Sequence, residues 1–246
     1  SGFGNFLRMK KSDGHALIAE ARSASTEDIA TAVEKNNNES LKENTVLKID
    51  HRKTLKHLYH PSSKAPALVD IPAMNFLMMD GHGKPSGKGF QEAASTLYPL
   101  AYVLKFMVRA ACNVDYHVMP MEVRWRVDRE KKEFAWTMML MQPEYITEEL
   151  VSEARQKVLP KVDAALLERA RFESFAEGMC VQFLHMGPYE GMDAALEKML
   201  AAAQAQGYLI PVRNAHDIYL NDVRKTKPEN LKSVMRLPVV CKEDLN

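Results

Sequence analysis

P-M-E-V-R-W-R-V, residues 120–127, combines a carboxylate, an indole and two guanidinium groups on one predicted strand. Apolar runs at residues 116–121 and 134–141 lie on both sides, so the carboxylate of Glu122 stands in apolar surroundings. Such a carboxylate must be paired, protonated or exposed in a cleft, because burying it alone costs several kcal/mol. Glu122 therefore either pairs with a neighbouring arginine on a solvated sheet face or lies in a ligand cavity.

Strand periodicity separates the side chains of this stretch. On a regular strand Glu122 shares one face with both arginines, and Trp125 lies on the other face. Glu122 and Trp125 can therefore line the same cavity only if a bulge lies between them. On a second predicted strand, at residues 216–220, Asp217 and Tyr219 share a face. His216 lies on the opposite face, which favours a structural role for it.

Composition indicates an ordinary soluble globular protein. The chain has 246 residues, of which 46% are hydrophobic and 26% charged, with a net charge of +1. This balance predicts neither a nucleic acid nor a membrane as partner. No apolar run reaches the roughly 20 residues of a membrane-spanning helix. The three cysteines are far apart, which fits a reducing compartment and makes the cytoplasm the default localisation.

Two segments near the N-terminus are distinct from the rest. Residues 1–46 predict an extension, disordered in part, with a weak helix at residues 26–34. Residues 47–60 are basic and predict a solvated helix. His57 and His60 in this segment have the spacing of two metal ligands, but no nearby acidic residue or cysteine completes a set. We therefore predict no metal and no cofactor.

The remainder of the chain repeats one order of elements: strand, glycine turn, helix, strand, strand. One such unit leaves an apolar sheet face that a single helix cannot cover, so two units should join in one α+β domain. We predict a pseudo-twofold axis with a ligand cleft at its centre. The predicted elements are strands 67–80, 116–127 and 134–142 with helix 90–110, a helical connection at 148–168, and strands 178–186, 216–220 and 233–240 with helix 192–203.

Seven short motifs in this order resemble the GyrI-like small-molecule-binding family. They lie at residues 58–61 (L-Y-H-P), 71–83 (I-P-A-M-N-F-L-M-M-D-G-H-G), 97–105 (L-Y-P-L-A-Y-V-L-K), 120–125 (P-M-E-V-R-W), 184–189 (L-H-M-G-P-Y), 216–220 (H-D-I-Y-L) and 235–239 (M-R-L-P-V). The resemblance implies a GyrI-like domain over residues 47–246, with halves at about 67–142 and 172–240. It also implies an apolar and aromatic cavity with a carboxylate at its centre.

The family's P-L-E-G-L-W-W and H-E-I-Y-L patterns assign site residues by position. The first implies roles for Glu122 and Trp125, and the second for Asp217 and Tyr219. Arg126 replaces the family's second tryptophan, and Asp217 is shorter than the family's glutamate. These departures affect proton transfer, which needs atoms about 2.6–3.2 Å apart, more than binding.

Four other residues are candidates for ligand contact. Tyr98 and Tyr102 lie one helical turn apart and flank the apolar stripe of the first predicted helix. Phe76 is either cavity wall or core. His185, ahead of a Gly-Pro turn, either titrates near neutral pH or caps the turn.

The resemblance leaves three functions open. The leading hypothesis is binding of bulky hydrophobic, cationic or electrophilic small molecules, with Glu122 as their charge partner. The ligand contacts would be Trp125, Tyr98, Tyr102, Asp217, Phe76 and His185. The second is a hydrolase that opens strained cyclopropane rings of alkylating natural products, with Glu122 and Tyr219 as catalytic residues. The third is a protein-interaction module like the family's gyrase inhibitor, which would use residues 47–60. The sequence makes no prediction of the oligomeric state.

Overall fold

A computed structural model describes residues 46–128, 133–211 and 214–245. The predictions for residues 1–45, including the helix at 26–34, lie outside the described residues. Within these ranges the chain forms twelve strands and six α-helices, together with short 3-10 turns. None of these helices combines the length and the apolar character that a membrane span requires.

The first half follows the predicted order with small changes. Two short helices precede it, and the single strand predicted at residues 67–80 is two strands. The long helix begins after Gly87 and ends at Asn113, which adopts the left-handed conformation that closes helices. The elements are β1 (Leu47–Ile49), α1 (His51–Thr54), α2 (Lys56–Tyr59), β2 (Ala67–Ile71), β3 (Met74–His82), α3 (Lys88–Cys112), β4 (Val114–Tyr116), β5 (Met121–Asp128) and β6 (Glu133–Gln142).

The connection and the second half also follow the prediction. The connecting helix is interrupted around Pro160, as expected from proline geometry. Two strands, at Arg171–Phe175 and Tyr208–Leu209, were not predicted. The elements are α4 (Glu148–Val158), α5 (Ala164–Arg169), β7 (Arg171–Phe175), β8 (Gly178–Met186), α6 (Met192–Ala205), β9 (Tyr208–Leu209), β10 (His216–Tyr219), β11 (Lys232–Pro238) and β12 (Val240–Cys241).

Eight strands form one antiparallel sheet in the order β2-β8-β11-β10-β5-β6-β3-β7. The two halves meet where β5 pairs with β10 at the centre. The outer edges are exchanged, because β2 pairs with β8 of the second half and β7 pairs with β3 of the first half. The predicted α+β class is confirmed. The pseudo-twofold axis stays a prediction.

The two faces of this sheet are covered by different parts of the chain. Helices α3 and α6 pack on one face, which we call the helix side, over two apolar clusters. The other face, which we call the strap side, carries a separate cluster rich in methionine. Leu58 and Tyr59 of α2 belong to that cluster and are fully buried.

The prediction of a solvated basic helix at residues 47–60 is therefore wrong. The segment forms a strand and two short helices, and β1 pairs in parallel with β4. Lys53 and Lys56 are exposed as expected, but Leu58 and Tyr59 pack under them against the sheet. Burial of Leu58 and Tyr59 removes apolar surface of the strap-side cluster from water, and this gain outweighs the preference of the neighbouring basic residues for solvent. Only the polar side of this segment remains for the protein-interaction hypothesis.

Candidate functional site

The central strand pair decides which candidate residues lie together. Strand β5 pairs residue by residue with β6 from Met121 to Asp128, so its side chains alternate regularly between the two faces. Trp125 packs on the helix side, and Glu122 contacts Tyr59 on the strap side. On β10, which pairs with β5, Ile218 belongs to the strap-side cluster and Tyr219 to the helix side. The sheet thus separates Glu122 from Tyr219.

Trp125, Asp217 and Tyr219 lie together on the helix side, where β5 pairs with β10. We use the name seam groove for these three side chains together with Phe90 and Tyr189. The ring of Phe90 on α3 stacks on Trp125, with centroids 6.0 Å apart and planes 7° from parallel. Tyr189, in the turn before α6, meets Tyr219 edge to face at 6.0 Å. Each half of the domain therefore contributes aromatic walls to the groove.

The position of Trp125 depends indirectly on Gly81 of β3. A Cβ atom at Gly81 would lie 2.2 Å from the ring of Trp136, so only glycine lets that ring occupy its place. Trp136 in turn meets Phe90 edge to face at 5.2 Å. Phe90 is thereby fixed as the surface on which Trp125 stacks.

The carboxyl group of Asp217 forms the floor of the seam groove. The residue is only 7% exposed, and its Oδ1 atom has no hydrogen-bond partner among the described residues. Burial raises the pKa of this carboxyl to about 6, although the charge of His216 and the indole N–H of Trp125 act in the opposite direction. An acid buried without full compensation is unusual, because leaving a buried polar atom unpaired costs about 1–3 kcal/mol.

The phenols above Asp217 are neutral over a wide pH range. Burial raises the pKa of Tyr219, and the negative charge of Asp217 raises it further. The same two causes raise the pKa of Tyr189, which is 37% exposed. Both hydroxyl groups therefore stay available as hydrogen-bond donors beside the acid.

The two tyrosines of α3 differ in their surroundings. Tyr98 is half-buried against the helix-side core, and its phenol contacts the backbone of Met121 at the start of β5. Burial raises its pKa. Tyr102 is 47% exposed and stacks on Phe106 with centroids 6.4 Å apart. Tyr98 thus adjoins the central strand pair of the seam groove, and Tyr102 lies on the surface of α3.

His185 serves the turn that carries Tyr189. Its Nε2 atom lies 2.9 Å from the carbonyl oxygen of Pro188, to which it can donate. Its ring also lies against Gly191, where a Cβ atom would come within 3.1 Å. Of the two interpretations of this histidine, the geometry matches the turn cap.

Glu122 lies in a buried network on the strap side. Its side chain has no exposed surface. The hydroxyl of Tyr59 donates to Oε1 at 2.6 Å, and His216 Nε2 lies 3.1 Å from Oε2. The other ring nitrogen of His216 lies 2.8 Å from Glu177 Oε2. The imidazole is therefore held between two carboxylates, and we call this group the strap-side network.

Two further side chains tie the network to the segment that covers it. Arg236 lies 4.0 Å from Glu177 and donates to the carbonyl of Leu58 at 2.7 Å. Gln182 donates to the carbonyl of His57 at 2.6 Å. These bonds hold α2 on the sheet and keep Tyr59 against Glu122.

The charges of the strap-side network stabilise one another. Burial by itself would lower the pKa of His216, but the charges of Glu177 and Glu122 and their hydrogen bonds raise it to about 9. Burial would raise the pKa of Glu177, but the charge of His216 holds it below its ordinary value. Burial and the charge of Glu122 raise the pKa of Tyr59. At neutral pH the ring of His216 is therefore an imidazolium.

Phe76 lies with Glu122 and apart from the seam groove. It is buried in the strap-side cluster and meets Phe175 edge to face at 6.5 Å. The guanidinium of Arg124 lies over the other ring of this pair, 4.2 Å from the centroid of Phe175. The described residues contain no group of three histidines, cysteines or acids placed to hold a metal.

Sequence reasoning missed several residues of both clusters. Tyr189 was within a quoted motif, at its last position, and could have been weighed as a groove residue. Glu177 carried no such signal, because it lies in a link between two strands and reaches His216 only through the fold. The basic residues around Tyr59 led to the prediction of a solvated helix, so Tyr59 was not considered as a buried residue.

Comparison with known proteins gives a consistent assignment. The GyrI-like small molecule binding domain matches residues 64–240. An uncharacterized conserved protein from Listeria innocua is similar in structure, with 34% identity, a TM-score of 0.72, and coverage of 78% of this chain and 100% of that one. A hydrolase from Listeria innocua matches with 35% identity, a TM-score of 0.70 and the same coverage, 78% and 100%. No curated protein matches the chain.

Proposed function

Because the chain belongs to the GyrI-like small molecule binding domain family, we propose that it binds bulky apolar cations in the seam groove, with Asp217 as their charge partner. One observation carries this proposal. A buried carboxyl with an unpartnered oxygen lies beneath aromatic rings that are only partly buried. A ligand cation would supply the positively charged partner that this carboxylate lacks.

The aromatic rings suit such a ligand in two ways. Trp125, Tyr189 and Tyr219 offer large flat surfaces on which an aromatic compound can stack, at little cost in side-chain entropy. Their faces also attract cations, by about 0.5–2 kcal/mol for a well-placed charge. Since Asp217 is largely ionised above its pKa of about 6, the groove is anionic at neutral pH. This charge favours a lipophilic cation over a neutral compound of the same shape.

The test is calorimetric titration with rhodamine 6G, a bulky aromatic cation. Asp217→Asn keeps the shape of the side chain and removes its charge, and we expect affinity to fall about tenfold or more, which equals 1.4 kcal/mol. Asp193→Asn, on the exposed side of α6, is the matched control and should bind as the wild type does. Equal affinity of Asp217→Asn and the wild type would refute the proposal.

A second candidate function is hydrolysis, favoured by the 35% identity to a Listeria hydrolase over the full length of that protein. The sequence-based hypothesis paired Glu122 with Tyr219 for the opening of a cyclopropane ring. In the structure Tyr219 shares its face of the sheet with Asp217. We therefore assign to Asp217 the carboxylate role that the hypothesis gave to Glu122.

The reaction would proceed as an addition of water. Asp217 would accept a proton from the water whose oxygen bonds to the ring carbon. The carbon–carbon bond would break, its electrons would move onto the dienone oxygen, and Tyr219 would donate a hydrogen bond to the resulting oxyanion. The proton that Asp217 took from the water would then pass to that oxyanion, which restores both residues. Incubation with a cyclopropyl-pyrroloindole compound, followed by chromatography, tests this step. Product formation that Tyr219→Phe abolishes would support it, and binding without product would reject it.

A further inference from the structure

His216 and Asp217 are neighbours on β10 whose side chains lie on opposite faces of the sheet. His216 contacts the strap-side network, and Asp217 forms the floor of the seam groove. We infer that His216 is a positioning residue whose fixed positive charge, acting through the strand, keeps the groove acid ionised for ligand binding. The inference rests on the proposed function for its purpose, although its physical content can be measured without any ligand.

The contacts of both ring nitrogens favour the positive charge. A neutral imidazole has one N–H group, and its other nitrogen can only accept. In the structure each ring nitrogen of His216 faces a carboxylate oxygen, one from Glu122 at 3.1 Å and one from Glu177 at 2.8 Å. A carboxylate also only accepts, so a neutral ring would place two acceptors against each other on one side. The imidazolium, which has two N–H groups, hydrogen-bonds Glu177 through Nδ1 and forms an ion pair with Glu122 through Nε2.

The charged groups around the two residues support an effect on Asp217. On the strap side, His216 faces Glu122, Glu177 and Tyr59, with Arg236 beyond Glu177 and Arg124 beside it on β5. With the imidazolium these groups carry one positive charge more than they carry negative charges, and removal of the imidazolium takes that positive charge away from the neighbourhood of Asp217.

Fewer groups face Asp217 on the helix side. They are the indole of Trp125 and the phenols of Tyr219 and Tyr189, none of which carries a charge at neutral pH. Both charges are buried, so water screens them little. The charge of His216 should therefore be felt in the groove.

The experiment compares two variants that differ in charge. The pKa of Asp217 is measured from the carboxyl 13C signal during a pH titration. In His216→Gln the positive charge is lost, and we expect the pKa of Asp217 to rise by about one unit. In His216→Lys a cation remains, and the pKa should stay near the wild-type value. An unchanged pKa in His216→Gln, or an equal shift in both variants, would overturn the inference.

A measurement on the wild-type protein guards against failure of the variants to fold. The 15N signals of the His216 ring distinguish imidazolium from either neutral tautomer. We expect imidazolium at pH 7, and a neutral ring at that pH would overturn the inference without any variant.

The ligand titration adds a functional readout. In His216→Gln at pH 6, a rise of about one unit in the pKa of Asp217 would lower its ionised fraction about fivefold, and the affinity for rhodamine 6G should fall in proportion. At pH 8.5 His216→Gln and the wild type should bind the dye equally, because Asp217 is then ionised in both proteins. Equal affinities at pH 6 would contradict the inference. If the dye binds to neither protein, the proposed function fails. The carboxyl titration would still test whether His216 lowers the pKa of Asp217.

Discussion

Each face of the β5–β10 strand pair carries one buried acid, Glu122 on the strap side and Asp217 on the helix side, and the two acids differ in their partners. On the strap side, Glu122 is fully buried, accepts a hydrogen bond from Tyr59 and forms an ion pair with His216. On the helix side, Asp217 is nearly as buried, but one of its oxygens has no partner among the described residues. Glu122 thus has an ion-pair partner, whereas Asp217 has none among the described residues and lies under aromatic rings.

This difference suggests a division of labour. Breaking a buried ion pair is strongly destabilising, so the strap-side network holds the two halves and the covering segment together. An incomplete acid lowers stability, and proteins retain such costs mainly where they bind or react. The acid without an ion-pair partner, Asp217, is therefore the one proposed to meet a ligand, and Glu122 is the one proposed to stabilise the fold.

The largest expected effect is on the strap side. Glu122→Ala leaves the hydroxyl of Tyr59 without an acceptor and removes one of the two acids beside His216. We expect the free energy of unfolding to fall by about 3–5 kcal/mol in urea denaturation. Glu92→Ala, which removes an exposed pair with Lys88, should cost at most about 0.5 kcal/mol. A loss below 1 kcal/mol for Glu122→Ala would mean that the network does not hold the fold.

The next effect is a pH dependence on the alkaline side. The folded-state pKa of His216 is about 9, above its ordinary value of 6.5, so its contribution to stability is complete below pH 6.5 and is lost as pH rises through 9. Between pH 7 and pH 10 we expect a loss of about 2 kcal/mol in unfolding free energy. His216→Gln provides the control, and its stability should vary less over this range. Parallel curves for the two proteins would contradict the assignment.

A smaller effect comes from the cover of the strap side. Tyr59→Phe keeps the buried ring and removes the hydroxyl that donates to Glu122. Leaving that acceptor unpaired should lower the unfolding free energy by about 1–3 kcal/mol. Tyr102→Phe is the matched control on an exposed ring and should change stability by less than about 0.5 kcal/mol. Equal losses in the two variants would show that the hydrogen bond from Tyr59 to Glu122 does not contribute to the free energy of unfolding.

The smallest effect has the opposite sign and lies on the helix side. Asp217→Asn removes a charge that is desolvated without full compensation, so stability at pH 8 should rise by about 1 kcal/mol. The gain should diminish as pH falls through about 6, where the wild-type acid takes up its proton. Thermal unfolding at pH 8 and pH 5 measures both values. Destabilisation at pH 8 would mean that Asp217 is paired in the fold after all.

Sequence periodicity predicted most of the sheet. The order of strands and helices and the opposite orientation of Glu122 and Trp125 followed from apolar stripes and from the two-residue period of a strand. The break at Pro160 followed from proline geometry. These features are local, so the sequence carries them directly.

The chain segments that complete the sheet were harder to predict. Strand β7 is short and partly polar, and it is a strand because β3 offers it an edge. Leu58 and Tyr59 are buried because a distant apolar face needs covering. Glu177 bonds His216 although 39 residues separate them in sequence. Such contacts depend on the assembled fold, and no spacing rule predicts them.

The exchanged edges of the sheet bind the two halves into one folding unit. A cut between β6 and α4 would separate β2 from its partner β8, and β7 from its partner β3. Each fragment would then carry one strand with no neighbour and a three-stranded sheet with two bare edges, because β5 and β10 would also lose each other. The two pieces should therefore fail to fold singly yet reassemble on mixing, which makes this protein a natural candidate for fragment complementation.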